Sequence, residues 1–269
     1  MNNPASGRRA LEVDVTPATN GSLPPKKGKE SASRSKPSLL SRIIGVIGEI
    51  LITLGIIIAL FIVWQLWWTT VIANCNQNSE ISQIQSKWGN PNSQKVGKPR
   101  YDDPPAARHT KTVGDLEGII YIPRFGNNWR YTIKYGVELE AVLDTGSFGH
   151  NNDTAFVGEI GNFAIAGHRL TYGNSMKDAP DIKDGDSIII QTENAYYVYK
   201  QIKQEIVKPT EVRVISPNPF NPDYEPTERL LSITTCDPPL VSNNRLIVFA
   251  KYDHWVDPKD GVPAELAKK

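Results

Sequence analysis

Cysteine is almost missing from this 269-residue chain: only Cys75 and Cys236 occur, too few for a disulfide framework. There is no CxxC pair, no HExxH and no glycine-rich phosphate loop, so neither a metal site nor a nucleotide site is indicated. GxSxG is absent too, which removes the commonest serine-hydrolase signature. The acidic segments NNDTA and DGDS read first as turns. Net charge is only +1, which points to neither nucleic acid nor a strongly acidic partner. Most telling is a local absence: no formal charge lies between Ile50 and Ser79.

That uncharged stretch belongs to the run IIGVIGEILITLGIIIALFIVWQLWWTTVIAN, which starts at Ile43. A bilayer core takes about 20 apolar residues as helix, so residues 43–72 are read as one transmembrane helix. Trp64, Trp67 and Trp68 cluster near its far end, where indole rings favour the interface. A cleaved signal peptide has a shorter apolar region near the chain start and a small-residue cleavage site, neither of which fits a run that begins only at Ile43. Residues 1–42 carry eight Lys/Arg against three acids, whereas the remainder is mildly acidic. Basic flanks stay in the cytoplasm, so residues 1–42 are expected inside as a disordered tail and the rest outside. Glu49 reads as a carboxylate one turn inside the cytoplasmic interface, near Arg42 by helical spacing.

Residues 73–116 are polar and read as an extracytoplasmic linker. Ile81, Ile84 and Trp88 at helical spacing predict a short juxtamembrane helix within it. From Glu117 the texture changes. GIIYIPRF, YTIKYGV, NFAIAGH, DSIIIQT, YYVYKQIKQEIV, RLLSITTC and RLIVFAKY are rich in β-branched and aromatic residues, and GNN, DTG, KDG, PNPFNP and DPP break them. Many short strands with such turns predict an all-β barrel or sandwich over 117–256, followed by a tail at 257–269. Apolar residues of both parities in IIYI and RLIVFA predict central strands.

Four histidines and two cysteines restrict the choice of a nucleophile and its base. Cys236 leaves the strand-like run LLSITTC into DPP, which presents it at a sheet end; on residue type alone a buried core position is favoured. Arg245 opens the next strand after DPPLVSNN. In an antiparallel hairpin it faces Cys236, where a guanidinium lowers a thiol pKa or binds an oxyanion. A strand-initial arginine also suits solvated surface. His168 follows a strand-like run and Gly167, which permits a sharp exit toward the end that carries Cys236. A cysteine nucleophile needs such a partner within hydrogen-bond reach. His109, His150 and His254 have weaker contexts. Asp237, if close to the thiolate, would oppose it and raise its pKa.

An apolar anchor, a small β-barrel and the order His…TxTC…Arg together resemble the sortase family. GNFAIAGHRLTYG around His168, LSITTCDPP around Cys236 and RLIVFAKY from Arg245 carry the resemblance. YIPRFGNNW, DTGSFGHNNDTAFVGEIGNFAIAGHR, KDGDSIIIQT and the membrane run resemble class E, from high-GC Gram-positive bacteria. Ser232 and Ile233 depart from the usual TLxTC pattern but keep its hydroxyl and apolar character. The resemblance implies a closed barrel of about eight strands with short helices. It implies a thiol-dependent transpeptidase in the plasma membrane that cuts an LPxTG- or LAxTG-like C-terminal sorting signal between Thr and Gly and requires no metal or organic cofactor. Cys236 would form the thioacyl intermediate, His168 would move protons and Arg245 would meet the scissile carbonyl. Thr235 and Tyr121 would bind substrate. Expected partners are secreted proteins bearing that signal, a peptidoglycan-precursor amine and the bilayer. A pilin-polymerising enzyme acting through a lysine, a hydrolytic peptidase and a non-catalytic surface-binding barrel are the alternatives.

Overall fold

In the computed structural model, residues 38–89, 95–239 and 241–267 are described. Of the basic tail expected over 1–42, residues 1–37 lie outside them, and its end, from Leu39 to Arg42, is helical instead. One helix, α1 (Leu39–Trp88), contains the entire apolar run and is long and apolar enough to cross a membrane. The short juxtamembrane helix expected separately is its continuation. No glycine or proline interrupts the chain between Ile56 and Trp88, and the helix runs on through the Asn/Ser-rich NCNQNS. It ends where Gly89 adopts φ +95° and donates its N–H to the Gln85 carbonyl at 2.9 Å, a left-handed cap that glycine tolerates without a Cβ clash.

Contacts divide the chain into two units, 1–52 and 53–269. In the first, the described residues are the opening of α1, where Leu39, Leu40, Ile44, Ile47 and Ile50 are exposed. In the second, the described residues form eight strands: β1 (Leu116–Tyr121), β2 (Arg130–Tyr135), β3 (Phe148–His150), β4 (Gly161–Ala166), β5 (Ser187–Gln191), β6 (Tyr196–Val207), β7 (Arg229–Asp237) and β8 (Asn244–Val256). They close into a barrel in the order β1-β2-β3-β4-β7-β8-β6-β5. Closure removes both sheet edges. The pairs β2–β3 and β4–β7 are parallel, and the rest are antiparallel.

Alternation along the strands sorts side chains to two faces. Ile120, Ile133, Phe163, Ile165, Ile190, Tyr197, Leu231, Ile233 and Val248 fill the interior. The opposite parity explains the doubly apolar runs, because the barrel is also covered outside. Ile119, Tyr121, Ile189, Tyr196 and Val198 form an outer cluster under Ile81, Ile84 and Trp88 of α1. Ile247 and Phe249 pack outside β8 against Val214. Ile81 is fully buried there, worth about 1.5–3 kcal/mol for one such side chain.

Two glutamines fasten the same helical face. Gln77 donates from Nε2 to the Ser147 hydroxyl (2.9 Å) and the Thr145 carbonyl (3.3 Å). Its Oε1 accepts from the backbone and hydroxyl of Thr132, both at 3.0 Å. Gln85 donates to the Tyr121 hydroxyl at 3.0 Å, which donates onward to Gln191 at 2.7 Å. Buried polar groups satisfied this fully specify one docking register.

The expected linker is instead a strap. Arg100 exchanges backbone hydrogen bonds with Trp255 (2.8 and 3.0 Å), lies over its ring and pairs with Asp260 at 2.6 Å. Asp103 pairs with Arg229 at 2.7 Å, and the Pro105 carbonyl accepts from the Tyr197 hydroxyl at 2.7 Å. Nor is the C-terminal segment loose as far as residue 267. Val262 is buried, Leu266 packs on the outer cluster, and Glu265 pairs with Lys200 at 2.8 Å.

Candidate active site

Strand register decides which side chains share an end of the barrel. β4 and β7 run in parallel, with Ala166 beside Thr234. Past that pair, the Gly167 N–H donates to the Thr234 carbonyl at 3.0 Å, and the Thr235 hydroxyl donates to the Gly167 carbonyl at 2.8 Å. Next along the two chains stand His168 and Cys236. Across the next ladder, antiparallel β7 and β8 set Cys236 directly opposite Arg245. Directly opposed residues put their side chains on the same face, with Cβ atoms about 5 Å apart. The hairpin geometry expected from sequence is therefore present.

Gly167 matters for space rather than for dihedral freedom. A Cβ there would sit 2.7 Å from the Phe148 ring and 3.1 Å from the Ser175 hydroxyl. The chain leaves β4 through a gap that only glycine fits, and His168 follows at once. Cys236 is a free, partly exposed thiol, so it is not sealed in the core. Arg245 donates from Nη1 to the carbonyls of Ser242 (2.8 Å) and Asn244 (2.9 Å), which fixes its guanidinium at the hairpin mouth.

Two further residues join this cluster. Asp144 lies 2.9 Å from His168 through Oδ1 and Nε2. Arg169, almost buried, donates to the Cys236 carbonyl at 3.0 Å and ion-pairs with Asp237. Asp237 therefore does not oppose a thiolate as an unmatched charge; this guanidinium neutralises it. Sequence reasoning missed both residues. Arg169 adjoins His168 and was within reach of notice. The LDTG turn that holds Asp144 gives no local sign of a partner 24 residues further along the chain. The Tyr172 ring lies 5.3 Å from the His168 ring, and the charge of Asp144 is the chief influence raising its phenol pKa.

The other histidines have different employment. His150 is fully buried between Glu117 and Thr154, and His109 stacks on Phe156. His254 lies far along β8 from Arg245, roughly 30 Å at the rise of a strand.

The proposed substrate contacts fare unequally. Tyr121 is at the correct end of β1 but points outward beneath α1. It is 4% exposed, and its hydroxyl is taken by Gln85 and Gln191. Burial pushes its pKa far up, and the ring is not brought to Cys236. Alternation along β1 is the reason: Ile120 and Ile122 take the interior. Thr235 does adjoin Cys236, yet its hydroxyl is buried and committed to Gly167. The Asp103-Pro104-Pro105 segment pairs with Arg229, which starts β7, while Cys236 stands near that strand's other end. That segment is therefore no cover for the thiol. Among the described residues, no cluster of His, Cys, Asp and Glu is arranged to hold a metal.

A family model for the sortase domain matches residues 120–253. The solved SrtA sortase from Actinomyces oris is 39% identical, with a TM-score of 0.59 over 62% of this chain and 96% of that one. The chain belongs to the sortase family. Sortase SrtE1 of Streptomyces coelicolor is 30% identical over 84% of this sortase. The match covers 61% of that relative's own length. A crystal structure of sortase E1 from the same organism, with a tripeptide in its active site, is 30% identical. Its TM-score is 0.53 over 57% of this sortase and 97% of that chain. The class E-like resemblance read from the motifs agrees with these relatives, and the closed eight-stranded barrel is the fold they share.

Proposed function

We propose that this sortase is a membrane-anchored cysteine transpeptidase. It cleaves an LPxTG- or LAxTG-like sorting signal between Thr and Gly and joins the new carboxyl end to a cell-wall amine. The observation that carries this reading is the register of β4, β7 and β8, which draws His168, Cys236 and Arg245 to one barrel end. The tripeptide in the active site of the Streptomyces relative supports a peptide substrate.

In the reaction, the Cys236 thiolate attacks the threonine carbonyl carbon while His168 is an imidazolium. The developing oxyanion faces Arg245, a fixed cation that is worth most where charge appears in the transition state. Collapse breaks the Thr–Gly C–N bond, and His168 gives its proton to the departing glycine amine. A thioacyl enzyme remains. The incoming amine attacks the thioester carbon, His168 takes one amine proton, and the C–S bond breaks to restore the thiolate. Residues 43–72 cross the bilayer with the basic residues 1–42 inside, which sets the barrel outside, where secreted clients and wall precursors meet it.

Peptides carrying LPxTG and LAxTG, incubated with the full-length protein in detergent and analysed by mass spectrometry with glycine or lysine acceptors, test this. A ligated product is expected, and Cys236→Ala is expected to abolish it without unfolding the barrel. Cleaved peptide alone at high amine concentration would replace transpeptidation by hydrolysis. Turnover that persists in Cys236→Ala would remove Cys236 as nucleophile. Labelling of Cys75, exposed on α1, by a membrane-impermeant maleimide on intact cells checks the orientation.

A further inference from the structure

The imidazole of His168 has two nitrogens, and the structure commits one of them. Nε2 lies 2.9 Å from the carboxylate of Asp144, which as an anion only accepts, so Nε2 carries the proton of that hydrogen bond. Nδ1 is left as the nitrogen that exchanges a proton with a reacting amine. Both side chains are about one-fifth to one-quarter exposed, sheltered enough for the bond to compete with water.

Asp144 is itself firmly held. It sits in the single turn Leu143–Thr145, closed by Gly146 in the left-handed conformation at φ +87°. Its own N–H donates to the Leu139 carbonyl at 2.7 Å, and the Thr145 hydroxyl donates to the Val142 carbonyl at 2.6 Å. Gln77 of α1 then donates to the carbonyl of Thr145, the very next residue, and to Ser147. A Cβ on Gly146 would come within 3.2 Å of Ala73 and Gln77 and 3.3 Å of the Tyr172 carbonyl. The turn is thus wedged between α1 and the loop that follows His168. An unbroken path of contacts runs from Gln77 through the 143–146 turn to Asp144 and the imidazole.

We propose that Asp144 is a positioning residue for His168: it selects the Nε2–H tautomer, aims Nδ1 at the reacting amine, and is itself set in place by Gln77 of the helix that enters the membrane. The proposal rests on the sortase reading for its kinetic consequence but not for its tautomer. Orientation of a general acid–base by a second group follows the same logic as in other nucleophile–base pairs. Asp144 touches no reacting atom.

The test uses the full-length protein in detergent with Asp144→Ala and Asp144→Asn. Asp144→Ala is expected to lower kcat on the order of 10- to 100-fold, part of what general acid–base catalysis supplies, with peptide KM within about twofold. Asp144→Asn keeps an oxygen that accepts from Nε2 and is expected to recover part of that loss. Nitrogen-15 NMR of labelled histidine gives a readout apart from turnover: neutral His168 should carry its proton on Nε2 in the wild type and lose that preference in Asp144→Ala. Wild-type kcat in Asp144→Ala, a loss confined to KM, or a wild-type proton on Nδ1 would each overturn the proposal. If Asp144→Ala does not fold, the wild-type tautomer and Asp144→Asn still decide. A wild type with no ligation activity would defeat the functional reading and leave the tautomer result standing on its own.

Discussion

Thr235 donates its hydroxyl to the carbonyl oxygen of Gly167 at 2.8 Å, so the residue before Cys236 is tied to the residue before His168. Together with the Gly167 N–H bond to Thr234, this carries β4–β7 pairing past the end of β4 and holds two strand exits in step. Cys236 and His168 are distant in sequence, and this short crosslink sets the spacing of their backbones.

Thr235→Val keeps the shape and removes the donor. The buried Gly167 carbonyl then loses a partner, at a cost of about 1–3 kcal/mol. Peptide turnover is expected to fall further than thermal stability, because the two exits lose their alignment. Thr235→Ser should restore both. Equal turnover in Thr235→Val and wild type would show the crosslink to be structural only.

Gly167→Ala drives a methyl group against the Phe148 ring, 2.7 Å away where contact normally begins near 3.4 Å. Phe148 is fully buried and has no flexible end to yield. Overpacking of this kind costs about 1–3 kcal/mol. A lower unfolding midpoint and weakened ligation are expected together, and Phe148→Leu in the same chain should recover part of the midpoint.

Gln77→Ala strips the partner from the Thr132 N–H and leaves the Ser147 hydroxyl with fewer bonds at the α1–barrel contact. Stranding a buried donor costs about 1–3 kcal/mol. Differential scanning fluorimetry of the full-length protein in detergent should show the drop. Ser82→Ala, on the exposed side of α1, should leave the midpoint within experimental error.

Acid stability offers a check on the C-terminal segment. Burial pushes the Glu265 carboxyl up, but its hydrogen bond to Lys200 and the charge of that lysine pull it down further, to a net value below the ordinary 4.5. A carboxyl with a depressed folded-state pKa stabilises fully above its unfolded value and loses that contribution as pH falls through the folded value. Glu265→Gln is therefore expected to lower the midpoint at pH 7 and to narrow the gap to wild type below about pH 4.5. Urea titrations across that range measure it; a gap that widens in acid would contradict the assignment.

The β-barrel was legible because strand texture is local. Runs such as DSIIIQT declare themselves within a few positions, whereas the both-parity runs, read as central strands, belong to a closed barrel without edges and reflect apolar cover on two faces. What covers them was not legible. Ile81, Ile84 and Trp88 announced a helix, but nothing in that spacing reveals that it continues α1 or lies on β1, β5 and β6. The burial of Tyr121 was not legible for the same reason, since its exposure depends on the helix that carries Gln85, well before it in the chain. The strap at 95–111 reads as polar linker because its fastening uses isolated pairs, such as Asp103 with Arg229, that leave no periodic trace.

By itself the sequence determined the reactive inventory and the broad plan: an imidazole, a thiol and a guanidinium in that order, a helix long and apolar enough to cross a membrane, and a β-rich remainder. These follow from residue chemistry and from periodicity within a few turns or strands. Only the tertiary structure decided that Asp144 receives the His168 imidazole, that Arg169 neutralises Asp237, that Tyr121 is covered, and that α1 reaches the active-site turn through Gln77. Each of these depends on side chains brought together from distant parts of the chain, where chain closure and packing, rather than local preference, choose the neighbours.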